Sequence, residues 1–522
     1  MRHRPTVTLL AVLLLSAYAL NACGGGGGGR QTAMRFRAPI VLKVSASSAP
    51  TKQYAGVIQN QLKQVGIPCE IDAVDFNVML EQQQKGQFQM TTGRWVGGNQ
   101  DPIYLNDLFH TGSFRNRGRY SNPELDAILD EAMNTFERPK AKELWTRAQE
   151  IVSREMAQMP LWYVDQMVVA RRNVQNINVP VDGDWRFLKD VTVDGGKTGP
   201  FVVVLENSAA TLDQLRGTDA ASERFRQLMF NSLVRKNENF DYVGDIASEI
   251  QPSPDGLTYT FKLREGVKFH NGKSFTSADA KYTLDTLLAS DSPKAGDFFE
   301  TVEGKRTPVV KSVEAPDPLT LVVRLNKPSN KFLSNLVPVG MMPQGYTTDQ
   351  QKQTPIGTGA FKFVRNDESQ QIVDLAANDS YWGGAPAVKQ LRVRTILDAN
   401  TLQAELKSGG VDLAVVANLQ PDTYEALKQD SNLKVAQFPG VNVVYISFNA
   451  TDEVLKDARV RQAIAYAIDR QAIVKELLLS QARVANSILP EQSWAYSPGQ
   501  VYTYDPAKAQ QILDDAGYKP IQ

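Results

Sequence analysis

Two hydrophobic periods take turns along this chain. Residues 41–48 (VLKVSASS) carry the two-residue period of a strand. Residues 51–67 then space Ile58, Leu62 and Val65 on one helical face and stop at Gly66, a natural helix end. EIDAVDF (70–76) returns to strand, and NPELDAILDEAMNTF (122–136) opens a helix with Asn122 as N-cap and Pro123 at the first helical position. Further on, Leu257, Tyr259, Phe261 and Leu263 alternate with Thr258, Thr260, Lys262 and Arg264, a half-buried strand that runs into a turn at Glu265-Gly266. DPLTLVVRLN (317–326) is another strand. Residues 457–478 read as two helical segments, the first capped by Asp457 with Val460, Ile464, Ala467 and Ile468 as its stripe, the second capped by Asp469. Asp505 and Pro506 start a last helix, which Gly517 stops. Strands and helices interleaved in this way predict a mixed α/β (α+β) fold.

Composition narrows the function classes. The chain has 522 residues, 42% of them hydrophobic, which predicts two to four structural units. Lys+Arg and Asp+Glu both number 57, and that balance argues against a nucleic-acid partner. Three histidines (His3, His110, His270) and two cysteines (Cys23, Cys69) leave no material for a His/Cys metal cluster, so no metal and no cofactor is expected. Nor does a nucleophile–base pair emerge, so the expectation is a protein that is not an enzyme.

The N-terminus carries an address. Arg2 and Arg4 precede an apolar run from Val7 to Leu20, too short to span a membrane and suited to an export signal. Leu20-Asn21-Ala22-Cys23 resembles a bacterial lipoprotein box, which makes residues 1–22 a signal peptide and Cys23 the lipidated residue. The glycine run that follows reads as a flexible tether over 23–34. The expected location is therefore extracytoplasmic, periplasmic or at the cell surface, with the body held to a membrane by lipid.

Several tempting motifs have plain readings. Gly196-Lys197-Thr198 looks like the tail of a phosphate loop, and a nucleotide-binding enzyme is the reading of another class that it raises. However, Val191 stands where such a loop needs glycine, and Gly199-Pro200 leads into a strand at 201–205 rather than a helix. PIGTGAF (355–361) lacks the lysine and helix of a phosphate cradle. His270 beside Asn271-Gly272 reads as a hairpin-turn neighbour, and Cys69 as a small buried hydrophobe.

Longer phrases carry a family resemblance. They include residues 253–283 (SPDGLTYTFKLREGVKFHNGKSFTSADAKYT), 355–364 (PIGTGAFKFV), 378–391 (NDSYWGGAPAVKQL) and 457–474 (DARVRQAIAYAIDRQAIV). Residues 94–102 (RWVGGNQDP), 119–129 (RYSNPELDAIL) and 159–172 (MPLWYVDQMVVARR) belong with them. In these the chain resembles the extracytoplasmic solute-binding proteins of ABC importers, the peptide- and nickel-binding family 5. The order differs from the family's, because the phrases at 201–522 come first there and those at 35–194 last. The sequence reads as a circular permutation, with the old ends joined through 195–200.

The resemblance implies a two-lobed periplasmic-binding-protein-like fold with an extra small domain, closing on its ligand by a hinge. Lobe B takes 35–160 and 450–522. Lobe A takes 161–194, 201–245 and 350–449, and the extra domain is 246–349. The chain is expected to cross the hinge near 444–449 and 162–166. The resemblance also implies a monomer that captures a peptide and delivers it to ABC permease subunits, an oligosaccharide or a nickel or other metal chelate being the alternative ligands. Asp101 is the implied anchor for a peptide's ammonium group, its own alternative being a turn or helix cap. Trp95 is a candidate pocket wall, Arg94 a candidate carboxylate anchor, and Phe448 and Asn449 candidate cleft residues.

Overall fold

Two long antiparallel strands tie the molecule together, Gln158–Arg171 and Leu433–Phe448, paired from Leu433↔Arg171 to Ser447↔Gln158. They run through the middle of an 11-stranded sheet in a computed structural model that describes residues 32–46, 48–95, 101–113, 115–302, 305–416 and 419–521. Cys23 and most of the expected tether lie outside the described residues. No helix among the described residues is long and apolar enough to cross a membrane.

At the lobe B end, Ile40–Ser45 pairs in parallel with Cys69–Val74 and Met90–Trp95, and Met90–Trp95 joins the second crossing strand antiparallel. Ile40, Leu42 and Val44 alternate inward and are fully buried or nearly so, as period two requires. The helix Ala49–Gln64 covers them with Ile58 and Leu62; Ser48 caps it by accepting from the Thr51 amide, and Gly66 leaves it at φ 86°. The helices Ala458–Ala467 and Pro506–Asp515, from the other end of the chain, close the same core. Burial pushes the Cys69 thiol up to about 12, which keeps it protonated and unreactive.

At the lobe A end, Phe201–Leu205 lies between Gln390–Thr395 and Leu413–Val416, parallel to both. The extra domain is an antiparallel sheet in the order Ala247–Pro252, Thr258–Leu263, Thr320–Leu325, Val310–Asp317. Its inward residues Phe261, Leu321 and Val323 are buried with Leu284 and Leu287 of the helix Ser277–Leu288.

The caps fall where the sequence places them. Asn122 accepts from the amides of Glu124 and Leu125, Asp457 from Arg459, Asp469 from Ala472, and Asp505 from Lys508. The pairing of the crossing strands is irregular twice: it breaks between Phe438 and Asn442, opposite Val164–Gln166 within the expected 162–166, and shifts again between Val444 and Tyr445, inside the expected 444–449. Pro439 has no N–H to give the ladder, and a Cβ on Gly440 would meet the Val164 carbonyl oxygen at 2.1 Å.

Residues 195–200 run from a short strand, Thr192–Val193, into Phe201–Leu205. Lys197 Nζ pairs with Asp412 Oδ1 at 2.7 Å, and Asp412 Oδ2 accepts the Val202 amide at 2.8 Å. The lysine of the apparent phosphate loop thus fastens a linker to lobe A. At the far side of lobe B the two ends of the described chain meet: the Ile521 amide donates to the Met34 carbonyl at 2.7 Å, and Arg35 pairs with Asp514 at 2.7 Å.

Candidate functional site

Parallel strands present all their carboxyl ends on one edge, where the chain must leave the sheet and loops can converge on a ligand. Both lobes obey this geometry, and the two edges face each other across the crossing strands. Between them lies a cavity of about 600 Å³. Ser45, Gly93 and Arg94 reach it from the ends of the lobe B strands, and Leu397, Leu419 and Gln420 from beyond those of lobe A. Trp162, Val164, Asp165, Met167 and Val444 of the crossing strands form its floor. The volume lies in the range of small-molecule sites.

The walls are mainly apolar. Tyr54 stands edge-on to Trp162 with ring centroids 5.0 Å apart, and burial raises its phenol above the usual range. Phe76 and Leu397, 54% and 59% exposed, line the cavity from opposite lobes. Two charged side chains line it. Asp165 is committed: Oδ1 accepts from Arg483 Nε at 2.9 Å and Oδ2 from Gln437 Nε2 at 2.8 Å, which fixes the strand break at the hinge. Arg94, on the strand opposite Val444, is exposed and has no carboxylate within ion-pair distance among the described residues.

Asp165 and Met167 face this cavity, whereas Gln166 between them lines a second one of about 340 Å³. Trp162 and Val164, of the same alternation set as Gln166, also line the larger cavity, so the irregular pairing at Val164–Gln166 separates the two cavities rather than simple alternation. The second is lined by seven ionisable side chains, largely from residues 182–236.

Of the five ligand-contact candidates, Arg94 lines the larger cavity. Asp101 is engaged elsewhere. Its Oδ1 accepts the Ile103 amide at 3.1 Å at the start of the helix Ile103–Phe109, and its Oδ2 accepts the Tyr242 hydroxyl. It therefore steadies the turn into that helix, whose N-cap is Pro102, and ties this segment to the hairpin that carries Tyr242. Trp95 stacks on Tyr445 with centroids 4.8 Å apart, stands edge-on to Tyr104, and donates to Gln158 at 3.0 Å. That arrangement is a packed aromatic cluster with a void of about 10 Å³ beside it. Phe448, 1% exposed, sits in the lobe B core opposite Met90. Asn449 donates to the carbonyls of Gly86 and Phe88 at 3.1 and 2.9 Å, and its Oδ1 accepts from Thr451, so it locks a turn. Tyr54, Phe76, Leu397 and Gln420 were not singled out by sequence reasoning. The signal available for them is position: each follows a parallel strand or lies on the helix after one.

Residues 19–116 and 241–522 match the family described as bacterial extracellular solute-binding proteins, family 5, middle. The chain belongs to that family. Among family 5 relatives, a putative ABC transporter peptide-binding protein of Brucella ovis is 37% identical over 303 residues, 56% of this chain and 55% of the relative. Heme-binding protein A of Haemophilus influenzae is 32% identical over 56% of this chain and 57% of its own length. Oligopeptide-binding protein AppA of Bacillus subtilis is 30% identical over 62% and 60%. The chain thus spans between 55% and 60% of the length of these curated relatives. Among solved structures, HbpA2 of Haemophilus parasuis superposes with a TM-score of 0.52 at 26% identity, covering 61% of this chain and 67% of that one. CtaP of Listeria monocytogenes gives 0.53 at 24%, covering 62% and 66%. The mixed α/β two-lobed fold is that of family 5.

Proposed function

We propose that this family 5 protein is the extracytoplasmic receptor of an ABC importer, which captures short peptides by closing its lobes and hands them to permease subunits without chemistry of its own. The observation that carries this reading is the 600 Å³ cavity where the carboxyl edges of both lobes converge over a broken pair of crossing strands. A pocket so placed is enclosed or opened by rotation about 439–442, which is what a capture-and-release receptor needs. Relatives named as peptide-binding and oligopeptide-binding support the choice of peptide. The test is native mass spectrometry of protein purified from its own host, with small-angle scattering before and after adding what co-purifies. A co-purifying peptide that contracts the molecule supports the reading; retention of a sugar or metal chelate instead replaces the ligand class.

The remaining proposals concern organisation. Lipidation of Cys23 tethers a monomer to a membrane face, and Cys23→Ser should release it to the soluble fraction. The lobes divide as 35–160 with 450–522, and 161–245 with 350–449, around the extra domain 246–349; the separate hydrophobic cores support this division. The chain order is a circular permutation of the family's. Support comes from the junction at Ile521 and Met34, where the chain would once have run on, and from the linker held by Lys197. A chain re-ordered to begin at Phe201 should fold with an unchanged circular dichroism spectrum; failure to fold while the present order folds would sink the idea.

A further inference from the structure

Side chains fill the break in the crossing strands, and one of them spans it. Between Phe438↔Gln166 and Asn442↔Val164 the backbone ladder stops, and the register skips Asp165 and residues 439–441. The short strand Ala482–Val484 of lobe B pairs with Val164–Trp162 on the other edge of the first crossing strand, beside that break. Its Arg483 reaches across: Nε donates to Asp165 Oδ1 at 2.9 Å and Nη2 to the Gly440 carbonyl at 2.8 Å. The guanidinium lies 5.6 Å over the ring of Tyr163, whose hydroxyl is itself fixed on the carbonyls of Ser487 and Leu489. One rigid, planar fork therefore sets the spacing between the two crossing strands where no backbone bond does.

The residues around Arg483 touch both lobes. Gln437, on the lobe A half of its strand, donates to Asp165 Oδ2 and to the Ser480 carbonyl, both at 2.8 Å. Gln481 donates to the Pro421 carbonyl of lobe A at 3.0 Å. The chain arrives there under strain, since Leu479 and Ser480 hold φ of 49° and 59° after the π-helical turn Ile473–Leu477. Side chains other than glycine keep such backbone only where their surroundings compel it. Far from the break, lobe B meets its neighbours through Asp101 with Tyr242 and Asp107 with Lys331, contacts that sway at the hinge would part.

We infer that Arg483 is a positioning residue for solute capture: it splints the hinge break and sets the angle at which the two lobes come to rest. The missing ladder bonds leave the lobes free to rotate, and the fork confines that rotation to a narrow range. This rests on the reading of the protein as a receptor that closes its lobes, and it deepens that reading by naming what controls the hinge.

The experiment uses the full chain with Cys23→Ser and Cys69→Ser and spin labels at the exposed positions Lys142→Cys of lobe B and Lys407→Cys of lobe A. Pulsed electron resonance reads the distribution of distances between the lobes with no solute added. Arg483→Gln should broaden it roughly twofold as other angles become populated, with Arg483→Lys in between because it keeps a charge without the fork. Asp165→Asn with Arg483→Gln removes the buried charge that Arg483→Gln alone would strand. Its thermal midpoint should recover while the distribution stays broad, which a merely structural role would not produce. A distribution left narrow in Arg483→Gln, or one that narrows again as the midpoint recovers, overturns the inference. Should Arg483→Gln not fold, Arg483→Lys decides, and a narrow distribution there overturns it too. Native mass spectrometry of the unaltered chain with a pool of synthetic peptides keeps the two readings apart. Retained peptide with a narrow Arg483→Gln distribution sinks the splint alone, and a broadened distribution without retained peptide upholds the splint while the peptide reading fails.

Discussion

The two cavities beside the first crossing strand differ in how their charge is used. The smaller one has seven ionisable side chains and the larger one two. Part of the smaller cavity's charge is paired, since Arg226 holds Glu223 with bonds of 2.8 and 2.9 Å and Arg186 holds Asp184 at 2.8 Å while lying 3.6 Å from Asp245, whereas Asp182 and Arg224 form no ion pair among the described residues. Burial works to raise the Glu223 carboxyl, but the charge and hydrogen bonds of Arg226, joined by the charges of Lys294 and Arg186, together outweigh it and the group ends below its usual range. In the larger cavity Asp165 is likewise spent, and Arg94 is left over.

The largest expected effect tests the structural side of this contrast. Arg226→Ala removes a side chain that is 2% exposed and leaves Glu223 facing the low-dielectric interior, which should cost on the order of 3 kcal/mol in denaturant unfolding. A loss under 1 kcal/mol would mean that the charges of the smaller cavity are not structural. Next, Gly440→Ala puts a methyl into the Val164 carbonyl between the two cavities and should cost about 2 kcal/mol while altering ligand affinity, since both cavities share that backbone. Acidification adds an intermediate effect that spares both cavities. Burial lowers His270 to about 4, and the ring bonds to Gly357 and Gly359 at the seam between the extra domain and lobe A. The unfolded chain then binds the extra proton between about pH 6.5 and 4, so stability falls as pH drops through that window and is retained above it. His270→Gln should flatten the fall in a thermal-unfolding series. Smallest of all, Arg94→Ala should move stability by no more than about 0.5 kcal/mol, because nothing folded depends on it.

The contrast also explains which features the sequence made visible. Local rules worked where the deciding partner is near in the chain: Asn122, Asp457, Asp469 and Asp505 cap helices two or three residues away. Alternation found Thr258–Leu263 because one face of that strand is solvent. It could not sort Phe448 from a cleft residue, because the crossing strand is buried on both faces there. Asp101 was undecidable locally, since the residue before a proline serves equally as cap or as ligand anchor. Its partner Tyr242 lies 141 positions away. The strand break at Pro439-Gly440 was hidden for the same reason: it matters only opposite Val164, a pairing no local pattern reports. Arg94 was legible as a candidate, but the sequence could not show whether a carboxylate already occupied it.

The meeting of Ile521 with Met34 has a consequence in time as well as in space. Ile40–Ser45 is made well before the helices that cover it, Ala458–Ala467 and Pro506–Asp515. Lobe B therefore stays an open, apolar half-core for most of translation, whereas the extra domain draws its sheet and helix from one contiguous stretch and can fold as soon as that stretch is free. A ribosome-bound chain halted before residue 458 should thus contain a protease-resistant extra domain beside an unprotected lobe B. Lobe B would then close late, when the segment around Asp514 and Ile521 reaches Arg35 and Met34.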